Sequence, residues 1–344
     1  MKTHKTGGTT ITNILNRHGD RHNLKFVLPK DKYNRLGWPW FFQIDHVMQI
    51  YGETPNILCN HARYNRAAMN KLMPNDTLYI TILRDPVRQF ESTFSYMTFG
   101  EILGIANESD PFAVFFRNPR EVLINYLLTQ DLRINSDRLK LIRNGMFYDL
   151  GLESKDFENE EKINETILNL DKEFHLIMIT EYFDESLILL KRLFCWNFND
   201  MVYFHLNKRR YTNNKANISK ELEAKIKEWS KADALLYEYF KAVFYNKIQE
   251  QPQGFFNEVR ELKQRRKELE EMCLEPTNTT IRGYDTEGFK IRHNVTVTLR
   301  PLCEKMSWSE IKYLRYLKTK QIRMFENNNG WIWRFLSWIT SFYS

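Results

Sequence analysis

Residues 2–10 read KTHKTGGTT and run straight into ITNILNRHG over 11–19. A glycine pair that opens a helix gathers several backbone N–H groups and the positive end of the helix dipole at one point, which makes an anion site. Gly7 and Gly8 let the backbone approach the anion, Thr9 and Thr10 add hydroxyl donors, and Lys2 and Lys5 supply charge. Ile11, Ile14 and Leu15 share one face of the helix that follows, which the pattern ends at Gly19. A nucleoside-triphosphate loop of the Walker type reads GxxxxGK[ST], with its lysine after the second glycine. Here the lysines precede the glycines, and no hydrophobic run ends in an obvious magnesium-binding aspartate. The loop therefore suits a phosphate-like group handled without a metal; an ordinary turn before a helix is the plainer alternative.

Outward from the loop, strand and helix signals alternate. HNLKFVLP (22–29), PNILCNH (55–61) and the β-branched TLYITIL (77–83) read as strands, with a helix over Ala62 to Leu72. RDPVRQFESTFSYM (84–97) then opens a helix with its proline in the first turn. FHLIMITEYF (174–183) followed by DESLILLKRLF (184–194) repeats the unit, so the fold class is α/β with a central parallel sheet flanked by helices. From about residue 218 the chain turns to long charged helices, SKELEAKIKEWSKADALLYEYFKAVFYNKIQE (219–250) and FFNEVRELKQRRKELEEMC (255–273). Residues 274–304 read as polar loop, and the chain ends in the aromatic WIWRFLSWITSFYS (331–344). The organisation expected is an α/β core over 1–215 with a helical extension over 216–344, part of the same domain.

The 344 residues carry 42% hydrophobic, 14% aromatic and 27% charged side chains, the composition of a folded globular protein rather than a disordered one. A net charge of +7 and a pI near 9.0 favour an anionic partner without choosing among a phosphorylated or sulfated ligand, a membrane surface and nucleic acid. Cys59, Cys195, Cys273 and Cys303 lack the spacing of a zinc site. Cys59 and Cys195 lie in apolar runs and read as buried thiols, whereas Cys273 and Cys303 lie in polar surroundings and can pair. Six glycosylation sequons, at Asn75, Asn107, Asn164, Asn217, Asn278 and Asn294, lean towards the secretory lumen. No run of about 18 apolar residues is present, and no signal peptide precedes the loop. A secretory origin would mean that a targeting segment has been removed.

The second half of the anion site lies in LRDPVRQFESTF (83–94). Arg84 ends a strand and can fork onto a phosphate, and Ser92, two helical turns later, reaches the same group if the helix runs along it. Taken together, the two motifs resemble those of sulfotransferases that use 3′-phosphoadenosine 5′-phosphosulfate (PAPS), and more closely the galactose-3-O-sulfotransferase family, which includes galactosylceramide sulfotransferase. KTHKTGGTT is similar to that family's 5′-phosphosulfate loop, so Lys2, Lys5, Thr6, Gly7, Gly8, Thr9 and Thr10 are expected on the donor. LRDPVRQFESTF is similar to its 3′-phosphate segment, which puts Arg84 and Ser92 on the 3′-phosphate. The resemblance continues through NILCNHARYN, MPNDTLYITILRDP, FHLIMITEYFDESLILLKRLFCW, YFHLNKR and the helical tail. It implies a P-loop-like sulfotransferase fold, PAPS as co-substrate with no metal, and sulfate transfer to the 3-hydroxyl of a terminal β-galactose on a glycolipid or glycoprotein glycan. It also implies a Golgi-lumenal type II membrane protein, with the anchor and the strand preceding the loop absent from this chain, and no nucleic-acid partner.

Sulfuryl transfer needs a donor cradle, a cation on the bridging oxygen and a base near the acceptor hydroxyl. Lys5, nearest the glycine turn, is the expected cation, with Lys2 as substitute. His4 is the first expectation for the base and His61 the competitor. Trp38, Trp40, Phe41 and Phe42 either stack on galactose or anchor the core. Lys208, Arg209 and Arg210 either meet the nucleotide or an anionic acceptor, or form a solvated loop. The C-terminal aromatics suit a membrane interface or packing against the domain. A sulfotransferase with another carbohydrate acceptor is the nearest alternative, a kinase lacks its GK[ST] lysine, and an inactive glycan-binding module would have no use for Lys5, His4, Arg84 and Ser92.

Overall fold

The computed structural model describes residues 1–48, 54–129, 136–204, 218–275, 281–283 and 286–340. Its principal elements are α1 (Gly8–Arg21), β1 (Ile80–Leu83), α2 (Pro86–Tyr96), α3 (Gly145–Asp149), α4 (Glu160–Glu173), β2 (Leu176–Ile179) and α5 (Phe183–Leu193). They are followed by α6 (Lys220–Trp229), α7 (Lys231–Gln249), α8 (Phe255–Cys273), α9 (Arg300–Ser307) and α10 (Glu310–Thr340).

β1 and β2 pair in parallel, Ile80 opposite Leu176 and Leu83 opposite Ile179. Every residue of both is buried, which is why each reads as an unbroken apolar run rather than an alternation. On the edge of β1 away from β2, the Met1 amino group and the Thr3 hydroxyl donate to the carbonyls of Ile80 and Ile82, so residues 1–3 occupy the lane of a neighbouring parallel strand. The central sheet is thus smaller than the sequence suggests. HNLKFVLP and PNILCNH are extended, but they meet only through the single bridge Phe26–Ile57 and scattered hydrogen bonds such as Val27 N–H to Ile57 O. The helix expected over Ala62 to Leu72 is confined to Arg66–Asn70, capped by the Asn65 side chain.

Gly19 does not stop α1, which continues to Arg21. A Cβ there would come within 2.4 Å of the Phe26 ring and 2.7 Å of Ile57, so the glycine serves a close approach of helix and extended segment. The long 219–250 helix is broken at Ser230, between α6 and α7. Ile281–Gly283 and Thr286–Gly288 pair antiparallel, and Arg300–Ser307 is a helix, where a loop was expected.

The C-terminal helices cover the layer. α7 packs against β2, α2 and α3, α6 against α2, α8 against α5, and α9 and α10 against α1. Tyr313, Leu314 and Leu317 of α10 form a second core with Phe26, Leu28 and Cys59. A Cys273–Cys303 disulfide joins the end of α8 to α9. Cys59 is buried as expected, and burial pushes its thiol up to about 12. Cys195, expected buried, is exposed: α5 ends at Leu193, and Cys195 takes the left-handed turn (φ 54°) that carries the chain onward. The aromatic end extends α10 to Thr340; the surroundings of its side chains, like Lys208, Arg209 and Arg210, lie outside the described residues.

Candidate active site

The loop before α1 is shaped by two left-handed residues, Lys5 (φ 64°) and Gly7 (φ 84°). Its carbonyls are held from one side by three side chains. Gln89 Nε2 donates to His4 O (3.1 Å), Arg84 Nη1 to Lys5 O (3.1 Å), and the Thr180 hydroxyl to Thr6 O (2.6 Å), with Leu83 O 2.9 Å away. Thr3 Oγ1 and Thr6 Oγ1 lie 2.7 Å apart and tie the turn to β1. With its carbonyls so occupied, the loop is left to present N–H groups at the uncapped start of a fourteen-residue helix, the arrangement of an anion nest. Gly7 is required twice: its φ disfavours a side chain, and an added Cβ would meet the Phe183 ring at 3.2 Å.

Arg84 directly follows β1, and α2 begins two residues later with Pro86 at its first position and Asp85 capping the Arg88 N–H at 3.0 Å. Arg88, Ser92 and Tyr96 stand four residues apart and share one face of α2. Lys5 Nζ lies 3.7 Å from the Tyr96 ring centroid, so the loop's lysine reaches that helix. The structure thus brings Lys5, Arg84 and α2 together around the nest. Beside them, at the carboxyl ends of both strands, a cavity of about 380 Å³ is lined by Asp85, Arg88, Glu181, Tyr237 and Lys241.

Lys2 and Thr9 have another partner. Lys2 is buried and ion-paired with Glu310 at the start of α10; the same carboxylate is hydrogen-bonded by Thr9 and Asn34. Burial works to raise the Glu310 pKa, but Lys2 and these two donors outweigh it, so the carboxyl lies below its ordinary value. Lys5 is therefore the loop lysine placed at the nest, and Lys2 braces the loop from below.

His4 is buried in a cluster assembled from distant segments. Its backbone N–H and its Nδ1 both lie against Asp149 Oδ2, at 2.7 and 2.8 Å, while Trp38 Nε1 donates to Asp149 Oδ1 at 2.9 Å. The His4 ring stacks on His61 (centroids 4.1 Å apart, 20° between planes) and is tilted against Trp38 at 4.7 Å. Burial, together with the charges of Lys2 and Arg35 and the presence of His4, lowers the His61 pKa well below its usual value, so this ring is neutral. His61 Nδ1 is buried with no hydrogen-bond partner among the described residues. Of the aromatic stretch, Trp38 and Phe42 are core residues, Phe41 is half-buried beneath the Arg63 guanidinium, and Trp40 is 69% exposed.

Asp149, Gln89, Thr180 and Glu310 were not singled out in the sequence. Asp149 left a faint signal as the lone acid in the apolar run MFYDLGL, and Thr180 ends a strand as Arg84 does. Glu310 lies 308 residues from Lys2 and left none.

Residues 1–321 match the sequence profile of Galactose-3-O-sulfotransferase. The chain belongs to the galactose-3-O-sulfotransferase family. It is 30% identical over 346 residues to mouse galactose-3-O-sulfotransferase 2, covering 93% of this chain and 84% of the relative. It is 32% identical over 359 residues to mouse galactosylceramide sulfotransferase, covering 98% and 80%. The pig galactose-3-O-sulfotransferase 2 is 32% identical over 346 residues, with 93% and 83% covered. The match to the family takes in the nest, α2, the His4 cluster and the helices that brace them. No helix among the described residues is long and apolar enough to cross a membrane.

Proposed function

We propose that this galactose-3-O-sulfotransferase family member moves the sulfuryl group of PAPS to the 3-hydroxyl of a terminal β-galactose. The observation that carries the donor assignment is the loop whose carbonyls are drawn to Gln89, Arg84 and Thr180, leaving an uncapped helix N-terminus with Lys5 beside it. A nest of N–H groups and a lysine fit an anionic phosphosulfate, and nothing in that set requires a metal. Arg84 and Ser92 are assigned to the 3′-phosphate of the same donor.

In the reaction the acceptor oxygen forms a bond to sulfur as the bond from sulfur to the 5′-phosphate oxygen breaks, releasing adenosine 3′,5′-bisphosphate. Lys5 stabilises charge developing on the bridging oxygen, and the acceptor proton passes to His4 Nε2. His4 is favoured over His61 because its other nitrogen is held by a buried carboxylate, as the base of a triad is. Trp38 packs against His4 on its buried side. The acceptor is a galactosyl glycolipid or glycoprotein glycan, and the Cys273–Cys303 disulfide suits the Golgi lumen, reached as a type II membrane protein.

The assignment is tested by thermal stabilisation with adenosine 3′,5′-bisphosphate in EDTA. A rise in Tm is expected without metal. No rise there, with a rise for ATP and magnesium, would remove the donor assignment.

A further inference from the structure

We infer that Asp149 is the positioning residue of the sulfuryl-transfer base, fixing the His4 ring in the tautomer that carries its proton on Nδ1. The inference rests on His4 as base in the reading above. Three donors converge on this one carboxylate: the His4 backbone N–H and ring Nδ1 on Oδ2, and the Trp38 indole N–H on Oδ1. A carboxylate can accept all three; an amide cannot, because one of its two positions is itself a donor. Asp149 accepting from His4 Nδ1–H leaves Nε2 with the lone pair that a base needs, while the same carboxylate also takes the Trp38 indole and the His4 backbone N–H.

The carboxylate is itself held from both ends of its short helix. At the start of α3, Asp233 accepts the N–H groups of Met146 (3.2 Å) and Phe147 (2.8 Å). Near its end, Arg63 donates to Tyr148 O (3.1 Å) and Leu152 O (3.0 Å) and lies over the Tyr148 ring, while Asp149 O accepts the Tyr64 N–H at 2.9 Å. The Tyr148 hydroxyl donates to Pro39 O at 2.8 Å, beside Trp38. One five-residue helix therefore sets the base and the indole next to it, and an error in Asp149 is felt at both.

The three-donor geometry makes a specific demand on Asp149→Asn. If the amide oxygen faces His4, the amide nitrogen opposes the Trp38 N–H. If the nitrogen faces His4, it opposes the His4 backbone N–H and meets Nδ1 only if the ring proton moves to Nε2, so the base is lost. Removing the indole donor in Asp149→Asn/Trp38→Phe frees the amide to turn its oxygen to His4 and restores the tautomer without restoring the charge.

The experiment is two-bond ¹H–¹⁵N correlation spectroscopy on histidine-labelled protein at fixed pH, with the His4 signals assigned by their loss in His4→Ala, alongside steady-state kinetics. We expect Nδ1–H in the wild type, Nε2–H appearing at the expense of Nδ1–H in Asp149→Asn, and a return to Nδ1–H in the double variant. In Asp149→Asn kcat should fall on the order of 10⁴-fold, with KM for PAPS and stabilisation by adenosine 3′,5′-bisphosphate unchanged. Nε2–H in the wild type overturns the inference whatever the variants do, including variants that fail to fold. So does an Asp149→Asn protein that keeps kcat, or one that loses donor stabilisation in step with kcat, since that marks a scaffold role only. Absence of sulfate transfer by the wild type would instead remove the proposed reaction, a result to which the tautomer measurement is blind.

Discussion

The proposed donor side and the proposed base side of the site are built in opposite ways. The nest is contiguous: residues 4–8 fold on themselves, and most of what they offer an anion is backbone. The base cluster is made of side chains from four separate places, His4, Trp38, His61 and Asp149, none of which does its work without another. A backbone site tolerates substitution in its side chains and fails when its dihedral angles are disturbed, whereas a side-chain site fails when a partner is removed.

Substitutions can break that comparison at several depths. On the donor side the largest effect on turnover is expected from Lys5→Ala, which removes its cation: kcat for sulfate transfer should fall by about 10²–10³ while the fold, read by Tm, is unchanged. Lys2→Ala is not its equivalent, because Lys2 is buried against Glu310. Glu310→Gln, which leaves that buried ammonium without its counter-charge, should cost about 3–5 kcal/mol in a denaturant titration. A loss below 1 kcal/mol would show that α10 does not brace the loop.

Gly7→Ala tests the backbone character directly. The left-handed φ of 84° and the Phe183 ring 3.2 Å from the new Cβ should cost about 1–3 kcal/mol and weaken adenosine 3′,5′-bisphosphate binding in calorimetry. Unaltered binding would mean that the nest is not what holds the donor.

The smallest effect expected is a change in pH dependence. Burial raises the Asp233 carboxyl from 3.8 to about 7, against the N–H groups of Phe147 and Met146, which lower it. The folded state therefore keeps a proton that the unfolded state has released. The stability linked to this group is present below about pH 4 and is lost as pH rises through about 7. Asp233→Asn, which cannot ionise, should lack this fall, and the Tm difference between wild type and variant should change between pH 4 and 7 and level off above. The slope is bounded by one proton, about 1.4 kcal/mol per pH unit. Parallel Tm curves would show that the carboxyl is ionised throughout.

The same contrast explains how much of the molecule was legible in the sequence. β1, α2, β2 and α5 were readable because their signals are local: β-branched apolar runs, a proline after an aspartate cap, apolar residues at helical spacing. The turn at Lys5 and Gly7 and the strand-to-helix junction at Arg84 were readable for the same reason, while the donor roles given to Lys5, Arg84 and Ser92 are proposals. The extended segments around Phe26 and Ile57 carried strand composition but find too few ladder partners to be strands. Lys2 stood as the substitute for Lys5 until Glu310 arrived from the far end of the chain. Asp149 became meaningful only once α3 placed it beside His4 and Trp38, a juxtaposition that no spacing along the sequence encodes. Cys195 was misread because an apolar neighbourhood in sequence became a turn in space.

The central claim, that a metal-free nest and an oriented histidine transfer sulfate to a galactose 3-hydroxyl, is most directly tested by labelled PAPS in EDTA. The wild-type protein would be offered a terminal β-galactoside and its 3-deoxy analogue. The account predicts labelled galactose sulfated at O3 and no transfer to the 3-deoxy sugar; equal labelling of both acceptors, or none without added divalent metal, would contradict it.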